Sequence, residues 1–170
     1  MPPSTIGDLA TEILELVRAS KERYATLVYD NTLGDVFHIT ALKLPAIEDA
    51  LQALLPDDPW TVDALRACKA KAEMSLRIFT AVADAPDSTK VARYRDAVTA
   101  ASQGVRIEDL VARMMLDLMF FAQQLKRRDQ SQRLADGVEN LGRLGPSLPP
   151  EECVVYLPRV SSGDRHWAIP

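Results

Sequence analysis

The sequence predicts an all-α fold: a single bundle of five to six helices with an extended, proline-rich C-terminal tail. The first indication is the run 105–125, where apolar side chains recur at helical spacing at Ile107, Leu110, Val111, Met114, Leu118, Phe121, Ala122 and Leu125. The second is the same spacing in several shorter stretches on either side of this run. The third is a group of prolines that opposes any long helix after Gly145, at Pro146, Pro149, Pro150, Pro158 and Pro170.

The run 105–125 predicts the central helix of this bundle. Four further apolar residues lie off its main stripe, namely Met115, Leu116, Met119 and Phe120. A helix that is apolar nearly all round is expected to pack on several sides. Charged residues interrupt the run at Glu108, Asp109, Arg113 and Asp117. Because a bilayer span needs about 20 consecutive apolar residues, the pattern favours a buried helix over a membrane helix.

Four helices are predicted before the central one, over about residues 5–29, 35–55, 59–82 and 89–102. Pro45 falls inside the second, where a missing backbone N–H and a steric clash predict a kink or a break. Gln103-Gly104 ends the fourth, because glycine tolerates the left-handed conformation of a helix C-cap.

Beyond the central helix the pattern leaves two alternatives. An amphipathic piece over about residues 130–144 either forms a helix of its own or continues the central one. The basic cluster Lys126, Arg127 and Arg128 lies between them. Such a cluster most often complements the dipole at a helix C-terminus, and the alternative is contact with acidic lipid or with a partner.

Composition narrows the class of protein. A chain of 170 residues is long enough for one domain with a sizeable core. A net charge of −4 argues against a nucleic-acid partner. Cys68 and Cys153 are predicted to be small buried thiols rather than a disulfide. The N-terminal residues lack the basic and apolar regions of a signal peptide, so we expect a cytoplasmic protein.

Motifs for catalysis or for cofactor binding are absent from the sequence. The glycines form no phosphate-binding loop, and His38 and His166 stand apart from any zinc-binding pattern. The acid pairs Glu151-Glu152 and Asp57-Asp58 lie in proline-rich stretches, where solvated surface acids are the usual case. We therefore predict no catalytic residue, no cofactor and no metal, and we expect that the chain is not an enzyme.

Three blocks of sequence, in a fixed order, resemble a known family. They are KLPAIEDAL at 43–51, ALRACKAKAE at 64–73 with Ile78-Phe79 a turn later, and RYRDAV at 93–98 with GVRIEDL at 104–110. Together they resemble the SesA-type domain at the N-terminus of fungal NACHT and other P-loop NTPases, which are proteins of the NOD-like receptor (STAND) class. The resemblance covers about residues 6–144.

The resemblance implies an organisation and a function. Residues 1–145 would form the helical bundle, and residues 146–170 a tail or linker towards an NTPase domain carried in cis by full-length relatives. The family would make the chain a non-enzymatic signalling or effector domain, implicated in non-self recognition, heterokaryon incompatibility and regulated cell death through self-association or membrane contact. The alternative is a protein–protein interaction adaptor without membrane activity.

One helix face is a candidate for the effector or oligomerisation surface. It consists of the apolar residues Ile6, Leu9, Ile13 and Leu16 on the first predicted helix. The polar face opposite them mixes acidic and basic residues, whereas interfacial membrane helices usually carry lysine and arginine there. The expected partners are therefore proteins or further copies of the chain, with the membrane as a contact on activation. Plain core packing is the alternative interpretation of this face.

Overall fold

The computed structural model describes residues 6–27, 31–53, 61–124 and 126–148. Within these ranges the chain is entirely helical and contains no β-strand, which confirms the all-α prediction. The described residues form α1 (Ile6–Ala25), α2 (Gly34–Ala41), α3 (Leu44–Ala53), α4 (Thr61–Asp84), α5 (Lys90–Ser102), α6 (Ile107–Gln124) and α7 (Arg128–Arg143). Short 3-10 turns at Asn31–Leu33 and Asp87–Thr89 precede α2 and α5.

Two helices share the centre of the bundle. The predicted central helix, α6, packs against α7, α4, α3 and α2. The longest helix, α4, packs against α1, α5 and α6. The buried apolar residues of these helices form one continuous core, in which α4 and α6 pack directly on each other.

The core is built from the apolar stripes that the sequence predicted. On α6 the side chains of Ile107, Val111, Met114 and Leu118 are at most 1% exposed. An aromatic cluster fills the space between α1, α2, α4 and α5, with Phe37 packed edge-on against Phe79 and Tyr94 at centroid distances of 5.5 and 5.1 Å. Because full burial of one such large apolar side chain stabilises by about 1.5–3 kcal/mol, these stripes supply most of the driving force for folding.

The stretch predicted as one helix with a kink or a break at Pro45 is two helices. The backbone turns at Leu42 and Lys43, where the Leu42 N–H donates to the carbonyls of His38 and Ile39 at 3.2 and 3.1 Å. Pro45 is then the second residue of α3. A helix has no intrahelical partner for its first N–H groups, so proline is tolerated there, and the predicted break is confirmed.

The structure also decides between the two alternatives at residues 126–144, because α6 and α7 are separate helices. Lys126 adopts a left-handed conformation with φ of 57°. Its N–H donates to the Gln123 carbonyl at 3.1 Å, and the Arg127 N–H donates to the Ala122 carbonyl at 2.7 Å. These two bonds are those of a Schellman C-cap. The basic cluster lies in this turn, and Lys126, Arg127 and Arg128 are all exposed.

Candidate functional site

The candidate effector face of α1 is buried in the described conformation. Leu9 and Ile13 are 3% and 0% exposed. Leu16 is partly buried against the same core, and the side chain of Ile6 lies outside the described set. The neighbours of α1 are mainly α4 and, to a lesser extent, α3. The face thus packs into the core here, and any contact with a partner requires it to leave that position.

Ion pairs tie the polar side of α1 to α3. Glu48 on α3 accepts hydrogen bonds from Lys21 Nζ at 2.6 Å and from Arg18 Nε at 2.7 Å. These bonds, Lys21 first and Arg18 next, hold the pKa of the Glu48 carboxyl below its ordinary value. The Glu48 side chain is 16% exposed, whereas Arg18 and Lys21 are 47% and 36% exposed. One largely buried carboxylate, Glu48, therefore pairs with two more exposed cations.

A second set of ion pairs ties α1 to α4. Lys69 Nζ lies 2.7 Å from Glu12 Oε2, and this pairing raises the pKa of the Lys69 ammonium. At the other end of α1, Arg23 pairs with Asp84. Together with the Glu48 pairs, these partly exposed contacts join α1 to α3 and α4, while burial of the apolar face contributes more to the orientation of α1.

An exposed apolar surface lies on α6 instead. Leu116 and Phe120 are 42% and 44% exposed, although both lie on the helix that the sequence predicted to be packed on several sides. That prediction agrees with the contacts of α6 with α7, α4, α3 and α2, and of the four residues off the main stripe Met115 is fully buried and Met119 is partly buried. The exposure of Leu116 and Phe120 has a geometric reason: no described helix covers the sector of α6 between α4 and α7 on which these two residues lie.

A buried carboxylate joins the start of the predicted tail to α6. Glu108 is 6% exposed. It accepts hydrogen bonds from the Ser147 N–H at 2.7 Å and from the Ser147 hydroxyl at 2.5 Å. Tyr94 on α5 also hydrogen-bonds the Ser147 hydroxyl, and Leu148 next to it is 2% exposed. The backbone at residues 147–148 is thus held against the N-terminal end of α6.

The described residues bring together no candidate metal-binding set. They contain no group of three or more His, Cys, Asp or Glu side chains that could hold a metal ion. Burial of Cys68 raises the pKa of its thiol to about 12, so this cysteine remains protonated and is a poor nucleophile. Cys153, His166 and the acid pairs at 57–58 and 151–152 lie outside the described residues. Nor does any helix in the described ranges have the length and apolar character needed to cross a bilayer.

The sequence of this bundle matches the model of a known protein family. Residues 10–119 match the family model of SesA, described as the N-terminal domain on NACHT NTPases and P-loop NTPases. The match spans α1 to most of α6 and covers more than half of the chain. The chain belongs to the SesA family. Its resemblance to that family, inferred above from three blocks of sequence, is confirmed.

The SesA match ends inside α6, so α7 and residues 146–148 lie beyond it. No curated protein matches the chain, and no solved structure matches it. The family therefore supports an N-terminal domain of the NOD-like receptor type, ahead of an NTPase.

Sequence reasoning missed two features of this SesA domain. One is the exposed pair Leu116 and Phe120, since an apolar pattern does not reveal which sector lacks a neighbour. The other is the bond between Glu108 and Ser147, two residues 39 positions apart. The sequence pattern carried no signal for the second, because Glu108 is about 100° of helix rotation away from Ile107 on the buried stripe.

Proposed function

We propose that this SesA domain is the non-enzymatic signalling or effector domain of a fungal NOD-like (STAND) receptor. In this function it acts in non-self recognition, heterokaryon incompatibility and regulated cell death, through self-association or contact with a membrane. The observation that carries the proposal is the family match over residues 10–119, since that family is defined by its place ahead of NACHT and P-loop NTPases. The NTPase in cis would act as the nucleotide-dependent switch.

The packing of α1 supports an inactive, resting conformation of the domain, in which the candidate face is buried. Leu9 and Ile13 are buried against the neighbouring helices, and each contributes about 1.5–3 kcal/mol when fully buried. Exposing the candidate face Ile6, Leu9, Ile13 and Leu16 therefore costs several kcal/mol. A ligand or an assembly shifts such an equilibrium only by its differential affinity for the two states. Activation by self-association would supply that energy from contacts between released α1 faces.

A second candidate function has one observation in its favour. The apolar surface at Leu116 and Phe120 is exposed without any rearrangement of the bundle. Aromatic and aliphatic side chains at a surface are typical anchors of protein–protein contacts. An adaptor would dock its partner there and would need neither release of α1 nor a membrane.

Forced assembly tests the effector function. The chain is fused to a ligand-inducible oligomerisation module and expressed in fungal cells, and viability is measured before and after addition of the ligand. We expect death only after oligomerisation. Arg66→Ala, at an exposed position of α4, serves as the folded control and should kill like wild type. Survival of cells that contain the assembled, folded protein would overturn the effector proposal.

Deletion of residues 1–16 then asks whether α1 carries the activity. The proposal expects a folded but less stable bundle that no longer kills. Circular dichroism establishes whether the truncated bundle still melts cooperatively. Undiminished killing would show that the activity lies outside residues 1–16. Complete unfolding would show that these residues have a structural role.

Dye-loaded liposomes separate membrane contact from adaptor function. Release of trapped dye by the ligand-assembled fusion supports membrane contact. Intact liposomes, together with tight binding of a protein partner that Leu116→Asp abolishes, would favour the adaptor.

A further inference from the structure

Residues 145–148, here called the strap, follow α7 and are held to the bundle at two points. Ser147 is bound to the buried carboxylate of Glu108, from its N–H at 2.7 Å and from its hydroxyl at 2.5 Å. The next side chain, Leu148, is 2% exposed and belongs to the hydrophobic core. The strap therefore packs as part of the bundle, although it is not helical.

Tyr94 on α5 connects the strap to α6 and to the aromatic cluster. Its hydroxyl accepts a hydrogen bond from the N–H of Ile107, the first residue of α6, at 3.3 Å, and it is also bonded to the Ser147 hydroxyl. Because the Ser147 proton is donated to Glu108, Tyr94 is the donor in this second bond. The ring of Tyr94 is 1% exposed and packs edge-on against Phe37 at a centroid distance of 5.1 Å. Movement of the strap therefore removes a bond that holds a fully buried ring.

The aromatic cluster continues from Tyr94 to α1. Phe37 on α2 packs on Phe79 of α4 at 5.5 Å and on Tyr24 of α1 at 6.3 Å, measured between ring centroids. Tyr24 also packs edge-on against Phe79 at 6.0 Å, and its hydroxyl is hydrogen-bonded to Nδ1 of His38 at 2.7 Å. Phe37 and Phe79 are fully buried. Because a close-packed interior leaves such rings little free volume, displacing one ring changes the packing of the next.

We propose that the strap is an autoinhibitory contact: bound to Glu108 and Tyr94, it stabilises the packed position of α1, and its release weakens that packing. The contacts run from Ser147 through Tyr94 and the aromatic cluster to Tyr24, which lies in the last turn of α1. The regulatory meaning of this inference rests on the proposed function, in which the α1 face is exposed in the active state. The physical coupling between the strap and α1 does not depend on that function.

The strap can be released without unfolding a helix. α7 ends at Arg143, before the strap begins. Gly145 and Pro146 are exposed, so release displaces only Ser147 and Leu148 from their buried contacts. A short segment with few anchors opens locally at a lower free energy than the core of a domain. Release also leaves the buried carboxylate on α6 without two of its donors, and this cost favours the bound strap at rest.

The position of the strap in the chain favours a regulatory role. The SesA family is described as the N-terminal domain on NACHT and P-loop NTPases, so in such proteins the NTPase follows this bundle in sequence. The strap is the last described segment on that side. A displacement of the following domain therefore acts on the strap before it acts on any helix of the bundle.

Hydrogen–deuterium exchange of the full chain tests the coupling. Ser147→Glu places a second carboxylate against Glu108 and should release the strap without changing a residue of any helix. Gly145→Glu adds the same charge two positions earlier and is the matched control, because a Cβ atom added there meets nothing within 4 Å. We expect the amides of residues 20–25 to exchange at least about 10-fold faster in Ser147→Glu than in the control, while the amides of residues 131–141 on α7 keep their protection.

Three results of this comparison would overturn the proposal. Equal exchange of residues 20–25 in the two variants, with faster exchange of residues 147–148 in Ser147→Glu, would show that the strap is released without effect on α1. Unchanged exchange of residues 147–148 would show that Glu108 does not hold the strap. A uniform rise across α1, α6 and α7 would show a general loss of stability instead of a coupling through the aromatic cluster.

Tyr94→Phe tests the path of the coupling, because it removes the hydroxyl and keeps the ring against Phe37. It should by itself speed the exchange of residues 20–25, and Ser147→Glu added to it should change that exchange by less than about 2-fold. Two substitutions that break the same bond have non-additive effects, whereas independent ones add. Additive effects would overturn the path through Tyr94 and with it the proposal.

Forced assembly in fungal cells separates this inference from the proposed function. The fusion to the oligomerisation module should kill at a ligand concentration at least about 5-fold lower with Ser147→Glu than with Gly145→Glu, because α1 faces that are more easily released assemble at lower cost. Equal ligand dependence of the two variants, both of which kill, would overturn the regulatory role of the strap. Survival of cells with every assembled variant, wild type included, would instead overturn the proposed function, and the exchange experiments would still decide the coupling.

Discussion

Gly137 on α7 lies directly against Met115 on α6: a Cβ atom added at Gly137 would lie 2.7 Å from Met115 Cε and 3.0 Å from Met115 Sδ. The close approach explains why α7 packs so extensively on α6. Gly137 lowers the intrinsic stability of α7, since glycine costs about 1 kcal/mol relative to alanine in a helix interior. The absence of a side chain there lets the thioether of the fully buried Met115 pack against the backbone of α7.

Gly137→Ala should therefore stabilise less than its helix propensity implies. The added methyl group displaces the flexible end of a fully buried methionine, and the overpacking cost of about 1 kcal/mol or more offsets the propensity gain of about 1 kcal/mol. Gly142→Ala on the same helix is the control: nothing lies within 4 Å of its added Cβ, so it should stabilise by about 0.5 kcal/mol. Urea denaturation measures both. If Gly137→Ala is as stabilising as Gly142→Ala, the contact with Met115 is not tight.

Leu118→Asp should abolish folding. Leu118 is 1% exposed on α6, and an unpaired carboxylate there is either charged at a cost of several kcal/mol or forced to be neutral. Total stability is about 5–15 kcal/mol, so little of it would remain. Leu116→Asp, two residues away and 42% exposed, should melt close to wild type. Thermal melts followed by circular dichroism compare the two; a cooperative, near-native melt of Leu118→Asp would contradict this placement of Leu118.

The helices could be predicted because their signals are local. Apolar spacing placed α1, α4, α5 and α6 to within a few residues of their observed ends, and Pro45 marked the start of α3. The end of α6 carried no such signal. Lys126 adopts the left-handed conformation that a glycine usually supplies, so the sequence did not distinguish a break from a continuous helix.

The surfaces were harder to predict, because exposure depends on contacts between distant parts of the chain. The periodicity of α1 is the same whether Leu9 and Ile13 face a core or a partner, and only the position of α4 decides that they are buried here. Leu116 and Phe120 have apolar neighbours in sequence but no covering helix among the described residues. The sequence pattern of one helix identifies its apolar face, but the arrangement of the other helices determines whether that face packs in the core or is exposed.

Lys90→Met should destabilise the junction between α4 and α5. Lys90 is 4% exposed, and its ammonium donates to the carbonyls of Ala85 at 2.7 Å and Val82 at 3.1 Å. A cation at this position also complements the dipole at the C-terminal end of α4. Removing the donor leaves a buried carbonyl without its charged partner, which should cost about 1–3 kcal/mol. Arg93→Met, exposed on the same helix, should change stability by less than about 0.5 kcal/mol in urea titrations.

The contribution of Lys90 should also survive high salt, because a buried ammonium is screened much less than a surface ion pair. A loss of the difference between wild type and Lys90→Met at about 1 M salt, where the Debye length is only about 3 Å, would indicate a solvated side chain instead. Equal stability of the two proteins at low salt would show that the two carbonyls find other donors.

Stability should depend on pH through Glu48. Its hydrogen bonds from Lys21 and Arg18 lower the pKa of the folded carboxyl below the ordinary value of 4.5. A lowered pKa means that the unfolded chain binds the proton first, so this contribution is fully present above about pH 4.5 and is lost as the pH falls through the folded-state pKa. Glu48→Gln should therefore cost about 1 kcal/mol at neutral pH, a modest value because both cations are substantially exposed.

The difference between wild type and Glu48→Gln should shrink as the pH is lowered from about 5 to about 3, since a protonated Glu48 and the glutamine that replaces it are both neutral there. Urea titrations at a series of pH values measure it. Asp63→Asn is the control: its side chain is 93% exposed and its contact with Arg66 stays within α4, so its effect should be small at every pH. A Glu48→Gln difference that is constant across this range would mean that Glu48 contributes through packing alone, and α1 would then be held on α3 without its charges.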